Sequence, residues 1–169
     1  MEDFFVPEKL PVLGKSMEEL KDLNYQDTTY EVMKCFLTDF TEEELRNCIE
    51  KAYDSKFDDE AIAPLVKVED TYYLELFHGA TIAFKDMALS ILPHLMTTSA
   101  KKNQVKNEIV ILTATSGDTG KAAMAGFADV EGTRDYRILS KEWCQQSTGT
   151  PDENPERGKC RCSCNSWKL

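Results

Sequence analysis

Lys85 lies in the segment LFHGATIAFKD, residues 76–86, among apolar residues and directly before a predicted apolar helix. Burial disfavours the charged ammonium, so a lysine in such surroundings can act as a nucleophile toward an aldehyde. Most lysines at the start of a helix instead extend to water. His78 and Thr81 are as well suited to stabilising this loop as to chemistry. The residues alone therefore leave Lys85 open between a nucleophile and a solvated cation.

A second polar segment, TATSGDTG at residues 113–120, follows a predicted strand and opens a predicted helix. Such a turn directs several N–H groups at one point, and the helix dipole adds partial positive charge there, so a carboxylate or phosphate fits. Gly117 and Gly120 allow close approach of the backbone to an anion. Ser116 and Thr119 can donate hydrogen bonds from their hydroxyl groups. The segment is a candidate anion site.

Two other interpretations of this turn exist. A plain connection between a strand and a helix, with a polar residue capping the helix, accounts for the same residues equally well. A nucleotide-binding phosphate loop is a poorer match, because it requires Gly at 115 and Ser or Thr at 122. The chain has Thr115 and Ala122 at these positions.

The first part of the chain predicts a small helical unit over residues 16–55. Ser16 with Glu19 and Thr41 with Glu44 are capping boxes, each opening a helix. Asp27 is the predicted cap of a helix between them, in which apolar residues follow a 3.6-residue period.

The pattern changes after Pro64 to strands alternating with helices. LVKV and YYLEL predict a hairpin. MALSILPHLMTTSAKK predicts an apolar helix kinked at Pro93. NEIVILTAT predicts a strand buried on both faces of a parallel sheet, and a helix follows the 113–120 turn. This order predicts an α/β fold.

Two long motifs, ELFHGATIAFKDMAL and TATSGDTGKAA, together resemble threonine synthase, a family of fold-type-II pyridoxal-phosphate enzymes. The opening FVPEKLP and the acidic helical stretch before Pro64 are similar to the same family. The resemblance covers residues 4–134. It implies an incomplete fold-type-II α/β fold, three-layered with a mostly parallel sheet, preceded by a small helical region.

The resemblance also implies chemistry. Lys85 would be the catalytic residue, binding pyridoxal 5'-phosphate as a Schiff base and moving protons between substrate carbons. The matching turn would bind the substrate, most simply through its α-carboxylate. The family converts the small molecule O-phospho-L-homoserine and water to L-threonine and phosphate. The substrate-binding residues implied are Ser116, Gly117, Asp118, Thr119 and Gly120.

Three regions are predicted: a helical N-terminal region over 1–63, a partial cofactor-binding domain over 64–134, and a disordered tail over 135–169. The tail has no Ala, Val, Phe or Met, so it offers little apolar area to offset ordering. A permitted back-translation, read from the second base of the Asp135 codon, resembles the family's next stretch. We therefore expect the tail to come from a shifted reading frame.

Composition and charge narrow the range of possible binding partners. The net charge of −10 disfavours nucleic acid and anionic membrane surfaces. The sequence predicts no transmembrane helix and no secretory signal, which predicts a cytoplasmic protein. No metal site is predicted, because the tail cysteines lack zinc-ligand spacing and a nearby histidine. These cysteines are Cys144, Cys160, Cys162 and Cys164.

Activity is a separate question from descent. One alternative is a catalytically inactive fragment of a threonine synthase, because half of a cofactor site rarely holds a cofactor. Another is a different pyridoxal-phosphate lyase that replaces β or γ groups, such as a serine or threonine dehydratase. The FHGATIAFKD motif and the acidic helices favour threonine synthase.

Overall fold

A computed structural model describes residues 6–115, 117–140 and 160–165 of the chain, the last six and residues 139–140 by their backbone. In these ranges no helix is long and apolar enough to span a bilayer. The helices are α1 (Met17–Leu20), α2 (Tyr25–Met33), α3 (Glu42–Ala52), α4 (Asp86–Leu89), α5 (Leu92–Lys102) and α6 (Asp118–Phe127). The strands are β1 (Leu65–Val68), β2 (Thr71–Leu74), β3 (Ile109–Ala114), β4 (Thr133–Ser140) and β5 (Cys160–Asn165).

The first three helices begin at side-chain caps. The capping boxes predicted at Ser16 and Thr41 are both formed, opening α1 and α3. The cap of α2 differs from the prediction: Asn24, and not Asp27, accepts a hydrogen bond from the helix, from the Asp27 amide at 2.8 Å. The Asp27 carboxylate instead pairs with Arg46 of α3 at 2.9 Å, which joins the two helices.

The main hydrophobic core is centred on α3. Its buried residues Leu45, Cys48, Ile49 and Ala52 recur at the spacing of one helix face. The core also includes buried or packed side chains on either side of the predicted boundary after residue 63, among them Tyr30, Tyr53, Phe57, Ile62, Met87, Ile91 and Leu95. The helical region therefore packs directly on the elements that follow it, while the boundary itself remains a prediction.

The predicted hairpin is confirmed. β1 and β2 pair antiparallel, with Leu65 opposite Leu74 and Val68 opposite Thr71. All eight strand residues are exposed. A two-stranded hairpin with both faces in solvent gains little from packing, so its stability rests on its own backbone bonds and its neighbours.

The prediction of one kinked helix around Pro93 is wrong. The segment forms two helices, α4 and α5, and Pro93 lies in the first turn of α5. A proline there removes no helical hydrogen bond, because the first amides of a helix have no partner within it. Proline therefore ends one element and begins the next instead of bending a continuous helix.

The second sheet confirms the predicted parallel α/β arrangement. β3 pairs parallel with β4, and β4 pairs parallel with β5. α6 connects β3 to β4 and packs on both strands. β3 was predicted to be buried on both faces, which is wrong for the described residues: Ile109, Ile111 and Thr113 are half-buried, whereas Val110 and Leu112 are exposed.

Two parts of the predicted disordered tail are ordered strands in the structure. Residues 135–140 complete β4, and residues 160–165 form β5 on its outer edge. Backbone N–H and C=O groups at an open strand edge pair with any extended segment, whatever its side chains, so an apolar-poor segment can still join a sheet. Residues 141–159 and 166–169 lie outside the described residues, as do the side chains of the tail cysteines.

Asp135 has an unusual position in β4. It is 2% exposed, lies opposite Ile111 on the sheet face covered by α6, and neither carboxylate oxygen has a hydrogen-bond partner among the described residues. Burial raises the pKa of this carboxyl, and the charge of Arg137 opposes the rise. An unpaired carboxylate at an apolar position is consistent with a shifted reading frame from residue 135 onward.

The two faces of β3 differ in burial, which predicts opposite responses to the same substitution. Leu112 is 66% exposed, so Leu112→Thr should change the free energy of unfolding by less than about 0.5 kcal/mol and lower the binding of an apolar dye. Ile111→Thr, on the covered face, should cost about 1–3 kcal/mol. Denaturant titration measures both, and equal losses would contradict a sheet covered on one face.

The raised pKa of Asp135 predicts a pH dependence of stability. Below the ordinary value of 3.8 the carboxyl is neutral in both states and carries no penalty. As the pH rises from that value to the higher pKa of the folded state, the Asp135 carboxyl ionises more readily in the unfolded state than in the folded state. The protein therefore loses stability over this range. Asp135→Asn should remove this loss and add about 1–2 kcal/mol at neutral pH. The exposed control Asp22→Asn should leave the pH profile of thermal unfolding unchanged; parallel profiles for wild type and Asp135→Asn would refute the prediction.

Candidate functional site

Lys85 is the last residue before α4, at the end of the loop that follows β2. Its side chain is half-buried, and its Nζ lies 4.9 Å from the centre of the Phe84 ring. Within the described residues no carboxylate forms an ion pair with this amine. Lys85 is thus a partly desolvated amine without an anionic partner in this part of the chain, which suits a nucleophile.

The loop is closed by Asp86, the residue after the lysine. Asp86 is 3% exposed. Its Oδ2 accepts from the Thr81 amide at 2.7 Å, and its Oδ1 accepts from the Thr81 hydroxyl at 2.6 Å. Hydrogen bonds to an ionised acceptor are among the stronger ones in proteins. Thr81, left open in the sequence analysis, therefore stabilises the loop, and Asp86 is a residue that the sequence analysis missed.

Two features of the backbone are explained by the closed loop around Asp86. A Cβ at Gly79 would lie 2.5 Å from the Asp86 Cβ, so only glycine fits at this position. Ile82 has φ of 63°, in the left-handed region that a β-branched residue rarely adopts. Such strain costs on the order of 1–3 kcal/mol and persists where the surroundings impose it, often at functional sites.

The predicted anion turn opens α6. Gly117 immediately precedes the helix in an extended conformation, and its amide donates to the Thr115 hydroxyl at 3.1 Å. Among the described residues no side chain caps the amides from Asp118 to Gly120, so these are available to a ligand. Asp118 and Thr119 are exposed at this end, and Gly120 is buried. Ser116, also predicted to bind the substrate, lies outside the described residues.

Arg137 of β4 approaches the same turn. Its Nε donates to the Thr115 carbonyl at 3.2 Å. A Cβ at Gly120 would lie 2.8 Å from that Nε and 2.8 Å from the Thr115 Cγ2, so the missing side chain makes room for the arginine. Arg137 falls within the predicted tail, and only the parallel pairing of β3 with β4 brings it here.

The lysine loop and the anion turn lie on helices that pack together. A Cβ at Gly126 of α6 would lie 2.1 Å from the Leu89 carbonyl oxygen at the end of α4. The backbones of the two helices are therefore in direct contact there. Lys85 begins α4 and the turn begins α6, but a common cavity for the two remains a prediction.

Comparison with known proteins gives a consistent result. Residues 3–53 match the family model described as threonine synthase N terminus. The chain is 30% identical over 173 residues to the threonine synthase of Saccharomyces cerevisiae, covering 89% of this chain and 33% of that protein. It is 38% identical over 128 residues to the threonine synthase of Pseudomonas aeruginosa, covering 72% of this chain and 26% of that protein.

Solved structures agree in fold. The crystal structure of yeast threonine synthase superposes with a TM-score of 0.72 and 26% identity, covering 89% of this chain and 32% of that one. The structure of PLP-bound threonine synthase from Brucella melitensis gives a TM-score of 0.71 and 28% identity, covering 80% and 29%. The chain spans about a third of the length of the curated relatives it matches first. Sequence and fold together identify the chain as a homologue of the threonine synthases that corresponds to the N-terminal third of their length.

Proposed function

We propose that this chain carries the lysine and the substrate-anion turn of a threonine synthase, the enzyme that converts O-phospho-L-homoserine and water to L-threonine and phosphate. The observation that carries the proposal is the Lys85 amine, half-buried, at the end of a loop closed by Asp86 and Thr81. The likeness to threonine synthases in sequence and in fold supports it.

The residues present fit the cofactor pyridoxal 5'-phosphate. Its aldehyde needs a primary amine, and Lys85 supplies one with no carboxylate paired to it among the described residues. When bound, the cofactor withdraws electrons from the substrate carbons and makes their protons acidic. A solved relative of similar fold, the Brucella melitensis threonine synthase, is a PLP-bound structure.

Each part of the site has a distinct role in this proposal. The Lys85 amine would hold the cofactor at its aldehyde carbon and, when free, would accept and return protons at the substrate carbons. The amides from Asp118 to Gly120 would donate to the substrate carboxylate, aided by the dipole of α6, because the Gly117 amide already donates to the Thr115 hydroxyl at 3.1 Å. Thr119 can add its hydroxyl group.

A second possibility is a folded chain that does not turn over substrate. The exposed side chains on one face of β3 favour it, because a parallel sheet in an α/β enzyme is normally covered on both faces. In that case the lysine loop would exist without the surroundings that complete a cofactor site.

Reductive trapping of the lysine tests the proposal. After incubation with pyridoxal phosphate and reduction with borohydride, we expect the adduct to form chiefly on Lys85, as measured by peptide mass spectrometry. Lys85→Ala should abolish the main adduct, and the exposed control Lys67→Ala should not. Labelling spread evenly over the lysines would overturn the assignment. Phosphate release from O-phospho-L-homoserine then separates an active chain from a folded chain without turnover.

The bond between Thr81 and Asp86 should control how well the lysine is presented. Thr81→Val keeps the shape of the side chain but leaves Asp86 Oδ1 without its donor, which should cost about 1–3 kcal/mol in unfolding free energy. It should also slow trapping at Lys85 in fully folded protein. Thr81→Ser keeps the hydroxyl and should retain most of the wild-type rate. Equal rates for the valine and serine variants would show that the loop does not depend on this bond.

A further inference from the structure

The ring of His78 lies between two carboxylates. Its Nδ1 is 2.6 Å from the Asp58 Oδ1, and its Nε2 is 3.0 Å from the Glu75 Oε2. The side chain is only 13% exposed. Asp58 belongs to the segment after α3, and Glu75 directly follows β2. One imidazole thus joins the helical region, the hairpin and the lysine loop.

This geometry favours a protonated ring. An ionised carboxylate only accepts hydrogen bonds, so two carboxylates at the two ring nitrogens both need an N–H, which the imidazolium alone provides. The hydrogen bonds to Glu75 and Asp58 raise the pKa of His78, and the negative charges of Asp58 and Asp59 add to the rise, while burial opposes it. The stacked Phe77 ring, 4.6 Å away between centres, adds no charge.

The clamp, formed by His78 between Asp58 and Glu75, holds the beginning of the lysine loop. The His78 carbonyl accepts from the Asp58 amide at 3.0 Å. The next residue, Gly79, lies against the Asp86 side chain, and its carbonyl accepts from the Ile82 amide at 3.0 Å. His78 therefore anchors the loop from one end while Asp86 closes it at the other.

We propose that His78 is a positioning residue: held between Asp58 and Glu75, it anchors the 78–86 loop so that Lys85 is presented to the cofactor aldehyde. This inference rests on the function proposed for Lys85. His78 acts through the loop and does not touch the reacting atoms. The structure thus gives the acidic segment around Asp58 a role at the site.

The clamp makes the loop sensitive to pH. The folded-state pKa of His78 lies above the ordinary value of 6.5, so the stabilisation is fully present below that value. It is lost as the pH rises through the folded-state pKa, when the ring loses the proton that one carboxylate requires. The loop should therefore loosen as the pH rises. This effect should lower the reactivity of Lys85, whereas the deprotonation of lysines at high pH generally raises their reactivity.

Nuclear magnetic resonance of the ring protons tests the clamp without any cofactor. The chain has two histidines, and burial, with the charges of Lys56 and Lys51, lowers the pKa of the other, His94. We expect the His78 midpoint above 6.5 and the His94 midpoint below it, with His94→Gln assigning the signals. Glu75→Gln should lower the midpoint of His78. A His78 midpoint at or below the ordinary value, or one unmoved in Glu75→Gln, would overturn the proposal.

The positioning role is tested by the ratio of borohydride-trapped pyridoxal phosphate on Lys85 to that on Lys67, an exposed lysine of β1. The ratio removes differences between samples in the amount of reagent and in reaction time. In wild type it should fall severalfold as the pH rises through the His78 midpoint, whereas in His78→Gln it should be low and flat. Glu75→Gln provides a second variant and should move the fall to lower pH. A ratio that is the same in wild type and in His78→Gln at every pH overturns the positioning role.

The two proposals fail in different ways. Absence of a preferred Lys85 adduct in wild type at every pH would refute the function proposed for Lys85, whatever the histidine does. The His78 clamp would then be judged from its ring titration and from amide exchange over residues 79–86. Faster exchange there in Glu75→Gln supports an anchored loop, and unchanged exchange refutes it.

Discussion

The Asp86 carboxylate, buried and bonded to both the amide and the hydroxyl of Thr81, holds together the loop on which the candidate site depends. A carboxylate this far from water requires hydrogen-bond partners to avoid the penalty that Asp135 carries, because an unpaired buried charge costs far more than such bonds return. The requirement accounts for the neighbouring features: Gly79 leaves room for the aspartate, and Ile82 adopts a strained conformation that the closed loop imposes. Lys85 directly precedes Asp86 in the chain, so the buried aspartate fixes the position of the Lys85 backbone.

The helical N-terminal region supports the lysine loop through two contacts distant in sequence. The Tyr53 hydroxyl, at the end of α3, donates to the Met87 carbonyl of α4 at 2.7 Å. Asp58, a few residues later, holds His78 at the other end of the loop. Behind α4, the bare backbone of Gly126 lets α6 pack against Leu89. Core packing on one side and α6 on the other thus hold the short helix that Lys85 begins, which alone would be too short to be stable.

The parallel sheet places a paired and an unpaired charged group on the same strand. β4 brings Arg137 to the turn before α6, where its Nε donates to the Thr115 carbonyl, and two residues earlier it buries Asp135 with no hydrogen-bond partner among the described residues. Both follow from the period of two along a strand, which places residues 133, 135 and 137 on the face that α6 covers. The opposite face of β3 carries exposed Val110 and Leu112. The threonine synthases that this chain resembles share its fold over these elements, and the chain spans about a third of their length.

The sequence by itself determined the features that depend on neighbours along the chain: both capping boxes, the hairpin, the strand, turn and helix around residues 109–127, and the motifs shared with threonine synthases. Tertiary structure alone decided the rest. The pairing of β5 with β4, the position of Arg137 and the contact of Asp58 with His78 each join segments whose separation in sequence carries no local signal. Likewise, the split at Pro93 and the one-sided burial of β3 depend on what packs against them. Local hydrogen bonds and side-chain periodicity can be read within one turn or strand, whereas partners in space are selected by the packing of the whole chain.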